Sequence, residues 1–208
     1  NAVDPNAVDS NAVDFGPDKL LAEAPADAVE LLEGHPPFVT IQAGAGWANK
    51  TYPAAWWGEV AQILAERAGT PTLVPIAPGE EHLAEAVVAA SAGTARAVDA
   101  GPFPFLAALL RASALVLGGD TGPIHLAHAL GTPVLCIIGP TDPERNGPYG
   151  APELSLWHRL PCSCCYKRYA EPKACLLNIT PDEVARRALD LLERTMPPLA
   201  TLAKPRDI

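Results

Sequence analysis

The stretch Ala114-Leu115-Val116-Leu117-Gly118-Gly119-Asp120-Thr121-Gly122-Pro123-Ile124-His125 decides the fold. Its first four residues form a continuous apolar run without alternation, as expected of a strand buried on both faces. Two glycines, a carboxylate and a hydroxyl follow, and Pro123 suits the first turn of a helix. That helix is predicted over Pro123 to Leu130, with Gly131 stopping it, and Val134 to Ile138 reads as a second buried strand. A strand entering a helix directly and returning as another apolar strand is a βαβ unit, and its strands run parallel.

The same alternation extends in both directions. Phe38 to Ile41 is a β-branched apolar run, followed by the loop Ala43-Gly44-Ala45-Gly46-Trp47-Ala48-Asn49-Lys50. Pro53 opens a helix whose apolar face is Trp57, Val60, Ala61, Leu64 and Ala68, and Gly69 ends it. Thr72 to Ile76 is a strand in which Pro75 is tolerable only near the end. A helix over Glu81 to Ala92, a weak strand over Ala95 to Val98 and a helix over Pro104 to Ser113 follow. The last of these is expected to turn Phe105, Leu109 and Ala112 inward. Thr180-Pro181-Asp182-Glu183 is a capping box opening a helix to about Arg194. The fold class is therefore α/β, a Rossmann-like doubly wound parallel sheet, whose ligands bind beyond the carboxyl ends of its strands.

Three copies of Asn-Ala-Val-Asp, starting at Asn1, Asn6 and Asn11, repeat with a period that fits neither helix nor strand. Residues 1–34 are read as a linker, 35–195 as the Rossmann-like domain and 196–208 as a tail. Hydrophobic residues make up 49% of the 208 and charged residues 19%, a globular composition. With 24 acidic residues against 15 basic ones, the formal charge of -9 argues against nucleic acid as a partner. No apolar run approaches the roughly 20 residues of a membrane span. Asn1-Ala2-Val3-Asp4 has no signal-peptide character, so a cytoplasmic location is expected.

The loops after the strands carry the chemistry. The turn from Asp120 to His125 lies at a helix start, where unpaired amides and the helix dipole favour an anion. A plainly capped helix with a solvent-facing His125 is the alternative. Lys50, in a Gly-rich strand-to-helix loop, can place a charge on phosphate or simply sit in solvent. The loop is not a Walker A motif, and Gly44-x-Gly46 lacks the third glycine of a dinucleotide fingerprint. Glu80 follows a strand and can accept from ribose hydroxyls, or merely favour a helix N-terminus. Cys162, Cys164, Cys165 and Cys175 lack the paired ligand spacing of a zinc site, so no metal and no cofactor is expected.

Taken together, these loops resemble glycosyltransferase family nine, the lipopolysaccharide heptosyltransferases. The resemblance centres on Asp120-Thr121-Gly122 through His125 to Gly131-Thr132-Pro133, with Gly139-Pro140-Thr141-Asp142-Pro143 and Pro148-Tyr149-Gly150. Lys50-Thr51-Tyr52-Pro53 and the cysteine-bearing tail around Leu160 to Val184 are also similar. The family has Ser or Thr ahead of the lysine, where this chain has Gly44-Ala45-Gly46. The resemblance implies the C-terminal lobe of a GT-B enzyme that binds an ADP-sugar and transfers the sugar with inversion. Asp120, Thr121, Gly122 and His125 would surround the diphosphate-sugar, Lys50 would contact phosphate and Glu80 the nucleoside. It further implies a lipid-linked saccharide acceptor, work at the inner membrane face, and a catalytic base on an N-terminal lobe that these residues do not include. A non-enzymatic nucleotide-binding module and a GT-B nucleotide-sugar epimerase are the competing expectations.

Overall fold

The computed structural model describes residues 37–195. The readings of 1–34 as linker and 196–208 as tail lie outside them. Six strands form one parallel sheet: β1 (Val39–Gln42), β2 (Thr72–Ile76), β3 (Ala95–Asp99), β4 (Leu115–Gly119), β5 (Val134–Ile137) and β6 (Ser155–Leu156). Their spatial order is β3-β2-β1-β4-β5-β6, every neighbouring pair parallel. The helices are α1 (Ala54–Ala68), α2 (Glu81–Ala90), α3 (Phe103–Ala112), α4 (Gly122–Ala129), α5 (Pro143–Asn146), α6 (Ala174–Leu177) and α7 (Pro181–Thr195).

Side chains on the central strands alternate between two cores, which is why their sequence shows no polar period. Leu115, Leu117, Leu135 and Ile137 pack with Trp57, Val60 and Leu64 of α1 and with Val184, Ala188 and Leu191 of α7. Val116, Val134, Cys136 and Ile138 face the other way, onto Leu110 of α3 and Ile124 and Ala127 of α4. Pro75 causes no conflict because the ladder between β1 and β2 pairs Val39 with Thr72 and Thr40 with Leu73, before Pro75 is reached.

Two expectations need correction. On α3 the buried residues are Ala107, Ala108, Leu109 and Leu110, while Ala112 is exposed at the last turn. An alanine carries too little apolar area to fix a helix's rotation. The capping box of α7 is half made: Thr180 Oγ1 accepts from the Glu183 amide at 3.3 Å, but the Glu183 carboxylate pairs with His158 Nε2 at 2.9 Å. A tertiary partner has taken the reciprocal bond.

Tyr52 joins the loop after β1 to the segment that leads into α7. Its hydroxyl donates to the Ile179 carbonyl at 2.7 Å, and its ring stands edge-on to Trp57 at 4.9 Å. Burial, helped by the charges of Glu59 and Glu183, pushes its phenol well above the ordinary value. On the neighbouring helix, Gly58 sets the approach of α1 to α2: a Cβ there would lie 2.5 Å from Ala90 Cβ and 2.6 Å from the Val87 carbonyl oxygen. Gly58→Ala should gain helix propensity of about 1 kcal/mol yet force the helices apart at a cost of about 1–3 kcal/mol. A net loss of stability in urea denaturation is expected, and a gain would show that the two helices can part freely.

Candidate functional site

The chain lays down β1, β2 and β3 outward in one direction, then crosses back to place β4 on the other side of β1. Loops that follow β1 and β4 therefore diverge from adjacent strands and open a crevice at the carboxyl edge, the topological switch point of such sheets. The register is fixed by Ile41 beside Leu117 and Gln42 beside Gly118. Beyond that point the loop after β1 folds back over β4. Gly119 allows it, since a Cβ there would stand 3.0 Å from the Lys50 carbonyl oxygen.

At the mouth of the crevice Lys50 Nζ donates to Asp120 Oδ2 at 2.6 Å. Thr141 Oγ1, fully buried after β5, donates to the same oxygen at 3.0 Å. His125 Nε2 lies 3.6 Å from Asp120 Oδ1, longer than a hydrogen bond, so its pull is that of a looser polar contact. Burial alone would raise the Asp120 carboxyl. His125, the hydrogen bond and charge of Lys50, and Thr141 outweigh it and hold the group below its ordinary value. Thr121 is the extended N-cap residue of α4, caps with no side-chain bond, and its buried Oγ1 has no partner within the described residues. Gly122 is exposed beside it. The first-turn amides of α4 thus meet Lys50, Asp120 and His125 at one edge.

Glu80 stands apart from this group. It precedes α2 at the same edge of the sheet, and its carboxylate covers Gly44, where any Cβ would overlap it. Burial, with Glu81, pushes its carboxyl up against the opposing effect of His82. Lys50, Asp120 and His125 are brought together, Thr121 and Gly122 adjoin them, and Glu80 lies one strand away.

Sequence reasoning passed over Thr141, Trp47 and Asn49. Thr141 lay within the Pro140-Thr141-Asp142-Pro143 segment, but nothing in that segment announces a bond to Asp120. Trp47 lies beneath Lys50, whose Nζ is 4.3 Å from the ring centroid. Asn49 is buried behind them, and its Oδ1 has no partner within the described residues. It lines a cavity of about 290 Å³ together with Pro140, Cys162, Cys165 and Cys175, behind the crevice rather than over Asp120. Burial pushes the thiols of Cys136 and Cys175 up, which disfavours the reactive thiolate. Among the described residues the five cysteines form no disulfide, and no group of three or more His, Cys, Asp or Glu converges as metal ligands.

The family model of glycosyltransferase family 9 (heptosyltransferase) matches residues 13–175. The chain belongs to that family. Lipopolysaccharide heptosyltransferase 1 of Pseudomonas aeruginosa PAO1 is 30% identical over 184 residues, which cover 88% of this chain and 49% of the relative. The structure of E. coli heptosyltransferase WaaC with ADP superposes with a TM-score of 0.62 at 24% identity, covering 84% of this chain and 48% of that one. E. coli ADP-heptose heptosyltransferase II gives 0.67 at 17%, covering 83% and 53%. The fold is thus the Rossmann-like lobe of a GT-B glycosyltransferase, and the chain spans about half the length of the relatives it matches. Among the described residues, no helix is long and apolar enough to cross a membrane.

The lowered Asp120 carboxyl has a consequence for this family member's stability. A carboxyl held below its unfolded value of about 3.9 adds stability above that pH and loses it as pH falls through the folded value. Asp120→Asn should therefore cost about 1–3 kcal/mol at pH 7, through Lys50 losing a charged partner. The gap between variant and wild type should close as pH drops below about 4. Urea denaturation at pH 7 and pH 3 measures both, and a gap that stays constant would remove the pair from the stability account.

Proposed function

We propose that this chain is the donor-binding lobe of a heptosyltransferase-like enzyme that transfers a sugar, with inversion, from an ADP-sugar to a lipopolysaccharide-core-type acceptor. The observation that carries the reading is Lys50 held at 2.6 Å from Asp120, beside the uncapped start of α4, at the switch point of the sheet. A diphosphate laid there would meet the α4 amides and the helix dipole, with Lys50 and His125 at its flank. As the bond from the anomeric carbon to the diphosphate breaks, negative charge grows on the departing ADP. Groups fixed before the reaction stabilise that charge without reorganising. Asp120 orients Lys50 and His125, Thr121 offers a hydroxyl that lacks a protein partner, and Glu80 accepts from the ribose hydroxyls. The choice of ADP is supported by the E. coli relative whose structure was solved with it.

The base that deprotonates the acceptor hydroxyl belongs, in this reading, to the second lobe of a GT-B enzyme, and the acceptor approaches from the inner membrane face. The 208-residue chain should bind an ADP-sugar and transfer nothing unaided. Sugar transfer to a lipopolysaccharide-core acceptor, followed by mass spectrometry, measures this, and turnover by the chain alone would refute it.

The role of Lys50 is separable from general binding. Charge-assisted contacts contribute about 1.5–3 kcal/mol, so Lys50→Ala should weaken ADP binding about tenfold to a hundredfold. Adenosine, without phosphates, should bind the variant and the wild type alike. Calorimetry on both ligands gives the ratio of losses, and equal weakening of the two would place Lys50 away from the phosphates.

A further inference from the structure

The cysteine-bearing loop also carries Tyr166-Lys167-Arg168-Tyr169, residues that the donor site as described does not use. Two bonds to its backbone dock this segment against the crevice. Buried Asn49 donates from Nδ2 to the Lys167 carbonyl at 2.8 Å, and the Tyr166 amide donates to the Pro140 carbonyl at 3.1 Å. Tyr166 takes a left-handed φ of 53° and Cys164 one of 58°. Residues with a Cβ keep that conformation only where surrounding contacts hold them in it. The path of the loop is therefore set by its seat on Asn49 and Pro140 and by the Tyr166 hydroxyl, which donates to Asn146 Oδ1 at 2.7 Å and accepts from the Asp142 amide at 3.3 Å.

Seated this way, Arg168 lies over Trp47, its Cζ 4.4 Å from the ring centroid. Lys50 Nζ is 4.3 Å from the same centroid. One indole carries two cations, which lie within about 9 Å of each other and so inside one Debye length. Their charge balance differs. Lys50 is matched by Asp120, and the pair is neutral as a unit. Arg168 is exposed and, among the described residues, has no carboxylate within 4.0 Å. A ligand with several negative charges entering beside Lys50 would find its net attraction in the cation that has no counter-ion.

We infer that Arg168 is a further donor-binding residue, a second cation stacked on the same indole as Lys50 that engages the phosphate charge of the nucleotide-sugar. The inference rests on the donor-lobe reading above. Arginine suits the position better than lysine, because the flat guanidinium keeps its face on the indole while its N–H edge reaches two phosphate oxygens.

Calorimetry on the 208-residue chain tests it, with wild type, Arg168→Ala, Arg168→Lys and Lys50→Ala, each against ADP and adenosine at two salt concentrations. Arg168→Ala should weaken ADP about tenfold, the lower end for a charge-assisted contact because the site is exposed. It should leave adenosine unchanged and make ADP binding less sensitive to salt. Arg168→Lys should fall between, keeping the charge but losing the fork. Being exposed and, among the described residues, without a side-chain hydrogen bond, Arg168 can be replaced without threatening the fold. If Arg168→Ala matches wild type for ADP while Lys50→Ala does not, the inference fails and the donor lobe stands. Equal losses for ADP and adenosine also overturn it, since they mark a change in loop shape. If the wild type binds no ADP, the donor-lobe reading itself falls, and the inference with it.

Discussion

The pairing of β1 with β4 is the constraint on which the rest of the structure depends. Chain order would put β2 and β3 between them, and spatial order puts them side by side. Four consecutive register positions, Val39 with Leu115 through Gln42 with Gly118, hold the two strands level. The strands end together, so the loop after β1 and the turn after β4 begin at one height and face one crevice. Both strands are buried throughout. A slip of one residue would send Ile41 and Leu117 to the wrong core, so the hydrophobic effect that stabilises the sheet also fixes the geometry of the site.

Several small features convert that alignment into contact. Gly119 lets the Lys50 backbone pass within van der Waals distance of β4, and Gly44 leaves room for the Glu80 carboxylate. Tyr52 ties the far end of the same loop to Ile179, while Trp47 supports Lys50 from below. Lys50 and Asp120 side chains keep only 11% and 10% of their exposure, so each desolvated charge needs the other. Thr141 occupies a second lone pair direction of the same carboxylate oxygen. The outcome is a lysine whose position is set before any ligand arrives.

How much of this was legible in the sequence follows from the size of each signal. β4 and β5 hold uninterrupted apolar runs, β1 and β2 are apolar and β-branched with Thr40 and Pro75 among them, and the bounds of all four fell within a residue or two of those expected. β6 has two residues, and α5 and α6 have four each, too few to display a period of any kind. Even so, Asp142 accepting from the Glu144 amide at 3.0 Å is an N-cap that Asp142-Pro143-Glu144 announces. At the site, topology placed Lys50 and Asp120 at one edge, but both were read as facing a ligand rather than each other. Thr141 and Arg168 were invisible for one reason. Their meaning lies in contacts across 21 and 121 positions of chain, and no local pattern encodes those.

The average field of an acidic chain with a formal charge of -9 disfavours an anion, so the proposed donor site has to act locally. Long-range fields of exposed charges fade over about 8–10 Å at physiological ionic strength, so the surface excess of carboxylates repels a distant diphosphate only weakly. Inside that distance the local set decides. The Lys50–Asp120 pair is neutral, which leaves the partial positive charge of the α4 amides and, under the inference above, the full charge of Arg168. Asp120 therefore has two opposed effects. It pre-orients Lys50, and it offsets the attraction that Lys50 alone would give to phosphate. A site built on such a pair gives up affinity for a firm geometry, and a firm geometry is what the proposed stabilisation of a departing diphosphate requires. The same pairing disfavours indiscriminate capture of small anions, because a ligand must engage the helix start and the lysine together to gain more than the carboxylate already provides.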